Sequence, residues 1–261
     1  MTDSIAAALI DSDRLYFGLN GRTRRLGPFQ LTWTEGFSSL PAGGVAHQIE
    51  PLQNSLPAKD LEAHLDSVER VFESWTNPLV RLYALDCSPV RDTLYRRGYD
   101  NREEVGFART EPADPANQAI ELVPVENEAG WQEKLALQRG DNQVVDGHAC
   151  KPEEWVSLEC TRSRTGKLRF YLVRSDNETH GTFGLMKVGS VLRVKNFYLR
   201  PDSRGRGIGT AALKKVFQQI DGDGIQAVVL LALRGAATER FYEKLGMKEV
   251  CRLNEWSRAL E

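Results

Sequence analysis

The segment richest in chemistry runs Asn196-Phe-Tyr-Leu-Arg-Pro-Asp-Ser-Arg-Gly-Arg-Gly-Ile-Gly-Thr-Ala-Ala-Leu213. A strand-like run enters a glycine-rich loop, and a helical pattern starts inside the glycines. Gly205, Gly207 and Gly209 have no Cβ, so a ligand can come close to the backbone there. The first N–H groups of a helix have no internal partners and sit at its positive end. A pyrophosphate matches such a site, and Arg204 and Arg206 add cationic donors. The nucleotide P-loop is absent, because no Lys-Ser or Lys-Thr follows the glycines. The dinucleotide fingerprint does not fit either, because Gly205-x-Gly207 is followed by Gly209 and then Thr210. What remains is Arg-x-x-Gly-x-Gly behind a strand, with Pro201 three residues ahead of Arg204.

A second group lies downstream. Gln226 to Leu233 is a nearly continuous apolar strand, the pattern of a strand covered on both faces. Ala236 to Leu245 follows as a helix closed by Gly246. It carries Tyr242, whose phenol (pKa ~10) stays protonated at neutral pH and can donate a proton. Its helix companions Ala237, Phe241 and Leu245 also suit a core aromatic. In Val191 to Leu199, strand alternation places Arg193, Lys195 and Phe197 on one face. Asp141, Asp146 and His148 lie between the first two helices of this part. They are either acceptor-side bases or solvated loop residues. The four cysteines form no Cys-x-x-Cys pair and no Cys/His cluster, so no metal site is expected.

Further elements must position these residues. Ile120 to Pro124 reads as a first strand. Lys151 to Thr161 reads as a helix with Pro152 in its first turn. Leu168 to Arg174 and Gly181 to Val188 read as a hairpin around residues 175–179. Leu213, Val216, Phe217 and Ile220 share a helix face, and Asp221-Gly-Asp-Gly ends that helix. Met247 to Leu253 closes the chain as a strand. In the first part, Arg14 to Leu19 and Pro28 to Thr34 look like an extended hairpin, with Arg22, Arg24 and Arg25 at its solvated tip. Leu61, Leu65, Val68, Val71 and Phe72 form a helical stripe, with His64 at its edge.

The clearest seam is Thr110 to Gln118, with two prolines and no large apolar residue. The parts on either side share a pattern. Leu82, Ala84, Leu85 and Gly98 recur as Leu230, Ala232, Leu233 and Gly246, 148 positions later. Two copies of one strand-turn-helix unit are implied.

With these residues in view, the chain resembles the GNAT-type N-acetyltransferase superfamily. That family binds the pyrophosphate of acetyl-CoA with an R/Q-x-x-G-x-G/A loop between its fourth strand and third helix. Arg204, Gly207 and Gly209 match its fixed positions, and Gly205, Arg206, Ile208 and Thr210 fill the loop and helix start around them. The resemblance implies that the pantetheine arm pairs with the backbone of Phe197, Tyr198 and Leu199. Tyr242 stands at the position of the general acid, in the family's Tyr-x-x-x-Gly element. Arg193 stands where some members carry a carboxylate base, and Gly235 where an Asn is common. No base can therefore be named, and deprotonation through water is expected. The Arg193 position borders the acceptor site. Arg193 and Lys195 would favour an acceptor with a negative group beside its amine, unless internal carboxylates pair with them.

The implied fold is α/β (α+β), with two GNAT-like domains, each a mixed, mostly antiparallel sheet flanked by helices. Residues 1–112 form a degenerate copy without the glycine loop, and residues 119–261 the catalytic domain. The implied function is acetyl-CoA-dependent N-acetylation of a small-molecule amine by a monomer or homodimer. The alternative is a CoA-binding regulatory module without turnover. Lys plus Arg is 34 against 36 for Asp plus Glu, a net charge of −2, so nucleic acid is not an expected partner. The longest apolar run is far short of the ~20 residues that cross a bilayer. The N-terminus lacks the basic flank and cleavage site of a secretory signal. No membrane partner and a cytoplasmic location are expected.

Overall fold

The computed structural model describes residues 2–37, 46–52, 61–73, 79–84, 90–116, 118–139, 144–145, 148–149 and 151–260. The first half contains α1 (Thr2–Gly18), β1 (Gly21–Leu26), β2 (Phe29–Thr34), β3 (His47–Pro51), α2 (Leu61–Phe72), β4 (Leu79–Ala84), α3 (Arg91–Arg96) and β5 (Asp100–Arg109). The second half opens with β6 (Glu121–Pro124), α4 (Glu128–Arg139) and the small hairpin β7 (Val144–Val145) and β8 (His148–Ala149). It continues through α5 (Pro152–Ser163), β9 (Leu168–Ser175), β10 (Glu178–Val188), β11 (Val191–Leu199), α6 (Ile208–Phe217), β12 (Ala227–Leu233), α7 (Ala237–Lys244) and β13 (Lys248–Ala259).

From α5 onward the second half repeats the element order that starts at α1. Leu79 and Asp100 open β4 and β5; Ala227 and Lys248, 148 residues on, open β12 and β13. The repeat seen in the sequence is thus a repeat of structure. The fold is mixed α/β, with an antiparallel-dominated sheet flanked by helices. Among the described strands, only β3 with β4 and β11 with β12 run parallel.

The halves are joined by an exchange. Eleven strands form one sheet in the order β1-β2-β3-β4-β13-β5-β12-β11-β10-β9-β6. The last strand of the first half, β5, lies against β12 of the second. The last strand of the second half, β13, lies against β4 of the first. The two exchanged strands pair antiparallel at the centre, Ser257 opposite Asp100 and Lys248 opposite Ala108. Each carries a large aromatic into the other half's core. Trp256 is fully buried with Phe29, Ile49, Leu65 and Leu82, and Phe107 with Ile208, Val216, Val228 and Tyr242. The seam at 110–118 is the covalent connection, but the packing runs through it.

Arg14 to Leu19 is not a strand but the end of α1. Ile5, Leu9, Tyr16 and Phe17 are buried at helical spacing. The hairpin is instead β1 with β2, turning between Leu26 and Phe29, so Arg22, Arg24 and Arg25 lie along an exposed edge strand. Ile5 and Leu9 pack on Ala108, Val191, Val229 and Leu253, so α1 lies over the strands where the halves meet. No helix among the described residues is long and apolar enough to cross a membrane.

Candidate active site

β11 and β12 are partnered only from Val191 to Arg193, opposite Ala227 to Val229. β11 then continues to Leu199 and β12 to Leu233 without pairing to each other. A wedge therefore opens between the strands beyond Arg193. Backbone groups on its flanks are left for something other than the neighbouring strand.

A bulge shapes one side of this wedge. Thr182 faces Tyr198 and Gly184 faces Lys195, so two residues of β11, Asn196 and Phe197, oppose one of β10. Asn196 takes the left-handed conformation, φ 51°, which Asn tolerates better than most residues. The extra residue reverses the alternation. Phe197 and Leu199 pack toward the core beneath α6. Arg193 and Lys195 face α1 on the other side of the sheet. Arg193, Lys195 and Phe197 therefore do not share a face.

The glycine loop follows β11 at the mouth of the wedge. Residues Pro201–Ser203 form one 3₁₀ turn, and the Arg200 N–H donates to the His180 carbonyl. His180 is buried between the Ser175 and Ser203 hydroxyls, at 2.9 and 3.0 Å. Arg204 Nε donates to the Leu199 carbonyl at 3.0 Å, and its guanidinium lies over the Tyr198 ring. The three glycines have different jobs. Gly205 and Gly207 take φ of 74° and 82°, which disfavours any side chain. Gly209 is helical, and a Cβ there would come within 2.9 Å of Leu199 Cδ1 and 3.4 Å of the Phe197 and Phe241 rings. No side chain caps α6 at Gly207. The amides of its first turn, at Ile208, Gly209 and Thr210, are of the kind that has no acceptor within a helix, and such a start suits a diphosphate.

Tyr242 reaches the same region from α7. Its ring packs on Phe107 and Phe241, and among the described residues no hydrogen bond holds its hydroxyl. Burial pushes the phenol up to about 12, with the Arg193 charge opposing. Tyr242 is thus a core aromatic with an uncommitted proton.

Arg193 and Lys195 are placed differently from the acceptor-contacting role expected of them. Both bind Asp13 of α1, Arg193 Nη2 at 3.2 Å and Lys195 Nζ at 2.8 Å, and the Arg193 and Asp13 side chains are each 2% exposed. Burial holds Lys195 below the usual ammonium range; Asp13 opposes that shift and Arg193 reinforces it. Both cations are thus engaged by an internal carboxylate, which is the alternative to an anionic acceptor that the sequence left open.

His148 lies in β8, paired with Val145. Asp141 and Asp146 lie outside the described residues. No group of metal-ligating side chains occurs among the described residues, and Cys160 and Cys251 are free thiols.

Sequence reasoning missed the polar side chains around the bulge. Lys134 of α4 and Glu159 of α5 form a fully buried ion pair at 3.0 Å, and Lys134 Nζ also donates to Thr182 Oγ1. The visible signal was Asn196, a poor strand former in the middle of a strand. A cavity of 690 Å³ opens on the α4 side of β11, lined by Glu133, Leu137, Glu178, Thr179, Tyr198 and Arg200 among others.

Residues 131–247 match the family model for the acetyltransferase (GNAT) family. The match takes in the bulged strand, the glycine loop and Tyr242. This part of the chain belongs to the GNAT family. The GNAT domain makes the protein an N-acetyltransferase by family, and GNAT enzymes as a class draw on acetyl-CoA. No curated protein matches the sequence. Among solved structures, the chain is similar to a GCN5-related N-acetyltransferase from Kribbella flavida, with 16% identity, 96% of this chain and 95% of that one covered, and a TM-score of 0.67. It is also similar to a GCN5-related N-acetyltransferase from Sphaerobacter thermophilus, with 16% identity, 89% and 76% covered, and a TM-score of 0.59. It is similar as well to a tandem GNAT protein from the clavulanic acid biosynthesis pathway, with 11% identity, 88% of this chain and 78% of that one covered, and a TM-score of 0.52. At these identities the likeness is one of fold, and it spans both halves.

Two sequence features of the second half are not repeated in the first. Leu94, buried in α3, stands 148 residues before Tyr242. No Arg-x-x-Gly-x-Gly precedes α2.

Proposed function

We propose that the second half, residues 119–261, transfers an acetyl group from acetyl-CoA to an amine of a small molecule, and that residues 1–112 are a degenerate copy without a CoA site. The observation that carries this reading is the wedge between β11 and β12, with the uncapped start of α6 and the Tyr242 hydroxyl at its sides. Gly205 to Thr210 would hold the diphosphate, with Arg204 and Arg206 adding charge. The backbone of Phe197 to Leu199 would pair with the pantetheine arm.

Acetyl-CoA supplies the acetyl thioester. A backbone N–H of the bulged stretch donates to the oxygen on which negative charge develops. Tyr242 gives its proton to the departing sulfur. The acceptor enters through the cavity beside Tyr198. Its amine loses a proton to water, because Arg193 occupies the place of a base and is bound to Asp13. A negative group on the acceptor is not part of the proposal, since both strand cations are already bound to Asp13.

The test is calorimetry with acetyl-CoA, followed by an amine-library screen with detection of free thiol. Wild type should bind one equivalent per chain. Gly207→Asp places a side chain and a negative charge where phosphate sits. It should weaken binding at least ~10-fold, about 1.4 kcal/mol. A folded Gly207→Asp chain with unchanged affinity removes the proposal. Binding without thiol release for any amine favours a CoA-binding module.

A further inference from the structure

Two helices meet at Asn196, and two further elements join through them. Its side-chain amide donates to Tyr16 Oη of α1 at 2.9 Å and to Glu159 Oε1 of α5 at 2.8 Å. Glu159 is paired with Lys134 of α4, and Lys134 reaches back to Thr182 of β10. Thr182 is the residue that faces Tyr198 at the far edge of the bulge. The chain of contacts thus starts and ends at the bulge. Asp13, one helical turn before Tyr16, binds Lys195, the residue before Asn196.

This arrangement is a poor way to gain stability. A buried ion pair loses much of its attraction to desolvation, and a well-packed apolar replacement is often no worse. Burial lowers Lys134 from the usual ammonium range, with Glu159 opposing the shift. It also raises the Tyr16 phenol. What the network does achieve is geometric. Both N–H bonds of the Asn196 amide are directed, so the residue that sets the bulge has one orientation.

We propose that Tyr16 and Glu159 are positioning residues for acetyl transfer: they hold Asn196 in its left-handed state and so aim the backbone of β11 into the wedge. The first half would then take part in the transfer site through α1 even though it binds no CoA. The proposal rests on the acetyltransferase reading for its effect on rate, but not for its effect on backbone position.

The test compares wild type, Tyr16→Phe, Asn196→Gly and the double variant, with Glu159→Gln as a second probe of the same anchor. Tyr16→Phe removes one hydroxyl and keeps the ring. It should lower kcat about tenfold, since small misplacements at a reacting centre cost this much or more. The KM for acetyl-CoA should stay within about twofold, a split that marks loss of an interaction specific to the transition state. Glycine takes φ > 0 without an anchor, so in the Asn196→Gly background the hydroxyl should matter by less than about twofold. A Tyr16→Phe chain with wild-type kcat, or the same tenfold loss in both backgrounds, overturns the proposal. The amide resonances of Phe197 and Tyr198 in the free protein give a readout without acetyl-CoA. They should move in both Tyr16→Phe and Glu159→Gln; unmoved resonances in folded variants also overturn it. Failure of wild type to bind acetyl-CoA would sink the acetyltransferase reading alone, and the resonances would still decide the positioning.

Discussion

Tyr242 combines an apolar setting with a proton that nothing else claims. Tyr242→Phe keeps the ring among Phe107 and Phe241, so it should fold and bind acetyl-CoA nearly as wild type. Its kcat should fall on the order of 10²-fold. An unchanged kcat would make Tyr242 a packing residue only. The raised pKa, about 12, sets the pH dependence. An acid works while protonated, so Tyr242 should impose no loss of kcat between pH 7 and 10. An alkaline limb near pH 9 that vanishes in Tyr242→Phe would contradict the assignment of the shift. The stability link has the same sign. The folded state favours the neutral phenol, so its contribution is complete below pH 10 and is lost as pH rises toward 12. The helix that carries this residue was legible in sequence, as was the loop of Arg204 and the glycines, because their patterns depend on near neighbours in the chain. The faces of Arg193, Lys195 and Phe197 were not. One inserted residue reverses every side chain beyond it, and the partners that fix the bulge are distant in sequence.

At the scale of elements, α1 is the part least visible from sequence and most tied to the site. Its pattern of Ile5, Leu9, Tyr16 and Phe17 is helical, but the serines and aspartates between them dilute it. Four such buried side chains contribute roughly 6–12 kcal/mol at ~1.5–3 kcal/mol each, which is comparable to the ~5–15 kcal/mol stability of a whole domain. Removal of residues 2–18 should therefore leave a chain that does not unfold cooperatively. Leu9→Ala, at a fully buried position, should cost ~2–5 kcal/mol in a denaturant titration. A truncated chain that melts cooperatively and binds acetyl-CoA as wild type does would show α1 to be an accessory. Most other elements were readable, because their periodicity and glycine stops are local: Val191 to Leu199 is β11 to the residue.

At the scale of the molecule, the exchange of β5 and β13 makes two halves one folding unit. Calorimetry should show a single unfolding transition whose van't Hoff and calorimetric enthalpies agree. Two resolved transitions would mean the halves fold separately. Residues 1–112 and 113–261 made as separate chains should each be poorly folded, and should form one complex when coexpressed. The exchange could not be read from sequence. Because β5 and β13 are copies of one strand, each fits the other's place. Local pattern is the same whether a strand stays with its own half or crosses over.

The exchange also sets a delay during synthesis. β5 leaves the ribosome long before β12 or β13, the two strands it must lie between. At ~5–20 residues per second the intervening chain takes on the order of ten seconds to appear. Through that interval Val105 and Phe107 have no core to enter, and both edges of β5 are open to other strands. The charges at Arg102, Glu103 and Glu104, side by side on that strand, would keep it from sticking to its neighbours on the polysome while it waits.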